Sequence, residues 1–203
     1  DRLDRAMSLI TPEEAKEKGV RLVYLNTSDG HAEEKLKELT GQKGYDDVFV
    51  FSAITQLLEQ ADSILGMDGC LNFFAGPTDK KFKVPFNFYN VHYTSTHLVG
   101  TSGGSTKDME DSLRLSANKS INPSYMITHI GGLNAVPYTI INLKSIVSGK
   151  ILIYPHIEMD LVSLSDIVEG NCEGKFFEEL KIILQASQGI WSEKAEKYLL
   201  AYF

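Results

Sequence analysis

The stretch Val48 to Gly76, VFVFSAITQLLEQADSILGMDGCLNFFAG, decides the fold. It opens on Val48-Phe49-Val50-Phe51 and closes on Cys70-Leu71-Asn72-Phe73-Phe74, two strand-length runs rich in β-branched and aromatic residues. Their nearly continuous apolar character suits strands covered on both faces. Between them Ile54, Leu57, Leu58, Ala61, Ile64 and Leu65 recur at helical spacing, so residues 54–68 read as a helix with one apolar face, ended by Gly66 and Gly69. Strand, helix and strand in this order make a βαβ unit, and the fold class follows: α/β, with a parallel sheet.

The same alternation extends outward. Val20 to Leu25 and His97 to Thr101 read as further strands, and residues 29–40 and 105–117 as helices, the second opened by Ser105-x-x-Asp108. Thr11-Pro12-Glu13-Glu14 sets a cap, a proline at the first helical position and a glutamate at the third, which starts a short helix. Beyond Asn122, Pro123, Gly131-Gly132 and Pro137 break the pattern before Lys150 to Tyr154 reads as a strand. After Asp160 two helical stripes follow, Phe176, Leu180, Ile183 and Leu184, then Trp191, Ala195, Tyr198, Leu199 and Tyr202. The expected division is therefore a nucleotide-binding part, 1–160, and a helical extension, 161–203.

Composition narrows the function. The 203 residues carry 27 acidic and 20 basic side chains, a net charge of −7, with no basic stripe for nucleic acid. No apolar run approaches the roughly 20 residues that span a bilayer, so neither nucleic acid nor membrane is an expected partner. Cys70 and Cys172 read as buried thiols of a reducing compartment, and the expected location is cytoplasmic. The chain opens on Asp1-Arg2-Leu3-Asp4-Arg5 without an initiator methionine, as if cut from something longer.

In an open parallel sheet a ligand binds outside the carboxyl ends of the strands. Three such ends are small: Ser52-Ala53, Ala75-Gly76 and Ser102-Gly103-Gly104. Sharp turns favour the same residues, but three together point to a cleft where a flat ligand approaches the backbone. The Gly-x-Gly-x-x-Gly fingerprint is absent, as are Gly-x-Ser-x-Gly and any zinc-ligand spacing among the five histidines and two cysteines.

Several strings, in this order, carry a resemblance: RLDRA (2–6), GYDDVFVF (44–51), GCLNFFAGPTD (69–79), NFYNVHY (87–93), VGTSGG (99–104), INPSYMITHIGGL (121–133) and GKILIY (149–154). The chain resembles the C-terminal part of a zinc-type medium-chain dehydrogenase/reductase, most closely the L-sorbose 1-phosphate reductase and sorbitol dehydrogenase-like group. The resemblance implies a Rossmann-like, doubly wound sheet entered after its second strand, with a C-terminal helical appendage. It also implies NAD or NADP as cofactor, with a catalytic zinc, the glycine fingerprint and the ribose-binding acid upstream of Asp1. The activity implied is hydride transfer between nicotinamide and a secondary alcohol or ketone of a polyol or sugar phosphate, in a homodimer or homotetramer. This chain alone is expected to be inactive.

By the same resemblance Arg2 would touch the adenosine ribose or a 2′-phosphate, and Asn26 would lie beside the adenine. Ser52 and Ala53 would edge the ribose and nicotinamide. Phe74, Ala75 and Gly76, with Thr101, Ser102 and Gly103, would hold the carboxamide. Residues 80–96 take the place where relatives pair sheets across a dimer, although their aromatic side chains suit an intramolecular core equally well. A non-catalytic Rossmann-like binding module and a zinc-independent quinone-reductase-like enzyme remain alternatives on these residues.

Overall fold

A computed structural model describes residues 2–27, 30–146 and 149–203, with the side chain of Arg2 outside the description. The chain divides into two compact units, Asp1–Thr106 and Lys107–Phe203. The expected boundary at 160 lies inside the second of them.

In the first unit, α1 (Arg2–Leu9), α2 (Pro12–Glu17) and α3 (Ala32–Leu39) precede β1 (Tyr45–Val50), α4 (Thr55–Ser63), β2 (Leu65–Phe73), α5 (Phe88–Tyr93) and β3 (His97–Gly100). The Thr11 cap forms as its sequence implies: its side chain accepts from the Glu14 N–H, and the Glu14 carboxylate accepts from the Thr11 N–H. The three strands are parallel in the order β1-β2-β3, which is the sheet implied by the βαβ pattern.

Side chains alternate across a strand, so Val48, Val50, Leu71 and Phe73 share one face. That face packs on Leu58 and Ala61 of α4 and on Phe82, Val84 and Phe86. The opposite face carries Phe49, 57% exposed, and Val99, 43% exposed. Within the unit the apolar runs are thus covered on one face, not two.

Two expectations are corrected here. Residues 20–25 form no strand. In a doubly wound sheet ordered 3-2-1-4-5-6 the third strand pairs only with the second, and no described strand stands before this segment to receive it. Its anchors are side chains instead: the Tyr24 hydroxyl meets the carbonyls of Ala6 and Ile10 at 3.1 and 2.8 Å, and Arg21 donates to the Leu39 carbonyl.

The second correction concerns Gly66 and Gly69, which lie inside β2 rather than ending a helix. Tyr45 pairs with Leu65 and Asp47 with Cys70, so β2 bulges across 66–69 against the start of β1. A Cβ at Gly66 would stand 2.8 Å from the Lys43 carbonyl, one at Gly69 2.8 Å from that of Tyr45, and one at Gly44 2.5 Å from the Gly66 nitrogen. These glycines permit two backbones to touch.

The second unit contains α6 (Thr106–Ala117), which begins at the junction, then β4 (Ile127–Gly132), α7 (Val136–Asn142), β5 (Lys150–Tyr154), β6 (Val162–Ser163), α8 (Leu164–Glu169), α9 (Lys175–Ala186) and α10 (Glu193–Tyr202). Its sheet runs β5-β4-β6, with β6 antiparallel. Both C-terminal helical stripes bury as their spacing implies, except at Tyr202, which is 60% exposed. Ile130 and Tyr154 share a core with Leu180, Leu184, Trp191, Ala195 and Leu199. Trp191 precedes α10 rather than belonging to it. Its indole N–H donates to the Tyr154 hydroxyl at 3.0 Å, and that hydroxyl donates to Glu196 at 2.7 Å. Burial and the bond to Glu196 push the Tyr154 phenol above its ordinary 10.0.

Cys70 and Cys172 are both free and partly buried, and burial raises the Cys172 thiol. Among the described residues, no helix is long and apolar enough to cross a membrane.

Candidate functional site

The register levels the strand ends: Val50 pairs with Phe73, and Phe73 with Gly100. Ser52-Ala53, Phe74-Ala75-Gly76 and Thr101-Ser102-Gly103 therefore leave the sheet side by side. The amides of Phe74 and Ala75 both donate to the Val50 carbonyl, at 3.0 and 3.2 Å, and that of Thr101 donates to the Phe73 carbonyl at 3.4 Å. The Ile54 amide donates to the Ser52 carbonyl at 3.0 Å, which turns the chain sharply into α4. The Thr101 hydroxyl donates to Asn72 Oδ1 at 3.3 Å, tying β3 to β2 at this edge.

The edge is open as well as level. An added Cβ at Gly76 or at Gly103 would meet nothing within 4 Å, although Gly103 has φ +67, which disfavours any side chain. A cavity of about 470 Å³ runs along β1 and α4 and reaches Ser52. That volume lies within the range of small-molecule sites. Phe74, 53% exposed, meets Phe51, 71% exposed, edge to face with centroids 5.4 Å apart. Two exposed rings beside small residues give a flat ligand an apolar wall.

Six sequence-predicted positions, Ser52, Ala53, Phe74, Ala75, Gly76 and Thr101, thus lie at one edge with Ser102 and Gly103 just beyond. Asn26 is exposed in a segment that no ladder ties to this edge. The side chain of Arg2 lies outside the described residues. Phe51 and Asn72 belong to the edge and were not singled out by the residue pattern. The signal for Phe51 was its two-residue spacing from Phe49, which sets both rings on the bare face of the sheet.

Chemically, these positions can bind and orient. None of the side chains at 51–53, 74–76 or 101–104 exchanges a proton near neutral pH. Among the described residues, no group of three His, Cys, Asp or Glu could hold a metal.

Comparisons with known proteins agree with this architecture. The chain is 56% identical over 204 residues to a mannitol-1-phosphate 5-dehydrogenase of Aliivibrio fischeri, a match covering all of this chain and 48% of that protein. It is 45% identical over 176 residues to an L-sorbose 1-phosphate reductase of Klebsiella pneumoniae, covering 86% of this chain and 41% of that one. The chain spans about half the length of the curated relatives it matches.

Among solved structures, a benzyl alcohol dehydrogenase from Acinetobacter calcoaceticus superposes on 70% of this chain and 39% of its own, with a TM-score of 0.57 at 18% identity, a likeness of fold. The profile described as zinc-binding dehydrogenase matches residues 10–118, more than half of the sequence, and the chain belongs to that family.

Proposed function

We propose that the chain forms most of the nucleotide-binding part of an NAD(P)-dependent polyol or sugar-phosphate dehydrogenase/reductase. In this reading residues 1–160 carry the cofactor part and 161–203 a helical extension. The observation that carries it is the level row of three parallel strand ends, small at Ala53 and Ala75 and open at Gly76 and Gly103. The residues fit a nicotinamide: the ring needs a flat slot, and Gly76 supplies space where a side chain would intrude.

When bound, the nicotinamide supplies the hydride exchanged with a secondary alcohol or ketone. This chain's residues orient it. The amides of Phe74 and Ala75 are already bonded to Val50, so the backbone carbonyls of the neighbouring strand ends are the acceptors offered to a carboxamide amine. Phe51 and Phe74 keep water from one side of the slot. Asn72, through the Thr101 hydroxyl, fixes the separation of β2 and β3 at the edge. The names of the curated relatives support a sugar or polyol phosphate as substrate, and the family supports NAD(P) as cofactor; an assembly of like subunits rests on the sequence resemblance alone.

The test is the kinetics of Gly76→Val in the full-length protein that contains this chain. Valine enters open space, so the fold should persist, whereas KM for NADH or NADPH should rise about tenfold or more. Unchanged KM for both cofactors refutes the assignment. Turnover of a polyol phosphate by the 203-residue chain alone would refute the expectation that the chain needs the rest of its relatives' length.

A further inference from the structure

We infer that residues 80–93 form a strap that lifts as one unit off an apolar groove, held shut by the buried carboxylate of Asp62. The strap crosses the covered face of the first sheet. Phe82, Val84 and Phe86 point inward at every second position, and Lys81, Lys83 and Pro85 stay exposed. Beneath it lies an apolar groove of about 340 Å³ between Leu58, Leu71, Phe73 and Phe82, open to solvent along the exposed Leu98 and Val99 of β3. Packing under the strap is therefore incomplete, in contrast to the close packing usual in a protein interior.

Its attachments are few. Among the described residues no backbone hydrogen bond joins 83–86 to the sheet. Phe82 stacks on Phe73, with centroids 6.1 Å apart and planes 8° from parallel. Among the described residues, the one polar tie to the body of the unit is Asp62, 7% exposed on α4, whose Oδ2 accepts from the Asn87 N–H at 2.8 Å. Asn87 in turn caps α5, its side chain accepting from the amides of Tyr89 and Asn90. One carboxylate thus holds the junction between the extended piece and the short helix.

The geometry makes opening easy relative to unfolding. No protein group among the described residues bonds Oδ1 of Asp62, and a buried, unmet carboxylate oxygen disfavours the closed state. Lifting the strap brings water to that oxygen and offsets part of the lost contact. Segments with few backbone bonds and partial burial are the ones that open locally. Because the groove reaches Phe73 and Gly100, the last residues of β2 and β3, lifting the strap widens a space beside the strand ends whatever ligand those ends take.

Amide hydrogen exchange on the 203-residue chain tests the inference without any ligand. In the parent, amides of 87–93 should share one opening rate and exchange faster than those of β2; equal rates for the two overturn the strap. Asp62→Ala should accelerate exchange across 82–93 by about tenfold or more, with β1 and β2 held within about twofold. Asp62→Asn, which keeps a carbonyl oxygen for Asn87, should stay near the parent. Leu58→Ala enlarges the same groove without touching the latch and should raise exchange in α4 and the sheet along with the strap. Acceleration in Asp62→Ala spread evenly over β1, β2 and the strap would make Asp62 a residue of general stability and overturn its role as latch.

Discussion

Replacing Tyr154 by Phe isolates the bonds that join β5 to the last helix. The ring stays, so the apolar contacts in the core of the second unit are kept. Lost are the bond from the Trp191 indole and the bond to Glu196. Trp191 is 3% exposed, and its N–H is left without that acceptor in a site that water does not freely enter, at about 1–3 kcal/mol. Glu196 is only half-buried and can turn to solvent, so its loss is smaller, about 0.5–1 kcal/mol. The sum, roughly 1.5–4 kcal/mol, is a large share of the stability of a unit this size.

The assay is built into the chain. Trp191 is the single tryptophan, and its emission follows urea unfolding of the unit that contains it. With a slope of about 2 kcal/mol per molar, the midpoint should fall by on the order of 1–2 M, and by at least about 0.5 M at the steepest usual slope of about 3. Glu196→Gln keeps an acceptor and should lose about 1 kcal/mol or less. Alkaline pH adds a sign test. The folded phenol is held above 10.0, so the unfolded chain ionises first; the contribution is complete below pH 10.0 and declines as pH rises above it. Tyr154→Phe should flatten that decline and leave the part due to Tyr198, whose phenol burial also raises. A midpoint within about 0.3 M of the parent would refute the account.

Two further outcomes can be checked with the same reporter. His129 is half-buried, and desolvation lowers its pKa below the ordinary 6.5, opposed in part by the charge of Asp166. As pH falls below 6.5 the unfolded chain takes the proton first, so the second unit should lose stability until pH passes the folded value; His129→Gln should remove the slope, and greater stability at about pH 5.5 than at about pH 7.5 would contradict it. At Gly132 an added Cβ would stand 2.4 Å from the Ile157 carbonyl and 2.5 Å from the Met159 nitrogen, so Gly132→Ala should cost about 2 kcal/mol or more by thermal melting, and a Tm shift under about 1 °C would contradict the crowding.

The first sheet was legible because its signal is local. Alternating runs at 48–51 and 70–74 with a helical stripe between them state the βαβ unit without help from distant residues. The C-terminal helices were legible for the same reason, since each carries a full apolar stripe. Residues 20–25 carry equally good strand composition, yet a strand exists only when a neighbour takes its hydrogen bonds, and composition does not name the neighbour. β4 was hidden by Gly131-Gly132, whose role is to admit the loop at 157–161 rather than to turn the chain. At the candidate site, small residues at strand ends were visible one by one. Their alignment depends on register, and the bulge at 66–69 that sets it is a three-dimensional contact between backbones.

That contact bears on how a map of tolerated substitutions for this chain would look. Gly44, Gly66 and Gly69 stand at the amino-terminal edge of the sheet, away from the row of open strand ends. A saturation screen scored by activity would find them among the most intolerant positions, because any side chain there pushes two strands apart and shifts every residue downstream of the bulge. Gly76, which borders open space, would tolerate substitution in a screen for folding and, on the proposed reading of the strand ends, fail only in a screen for activity. Comparing the two screens would separate glycines kept for backbone contact from glycines kept for a ligand.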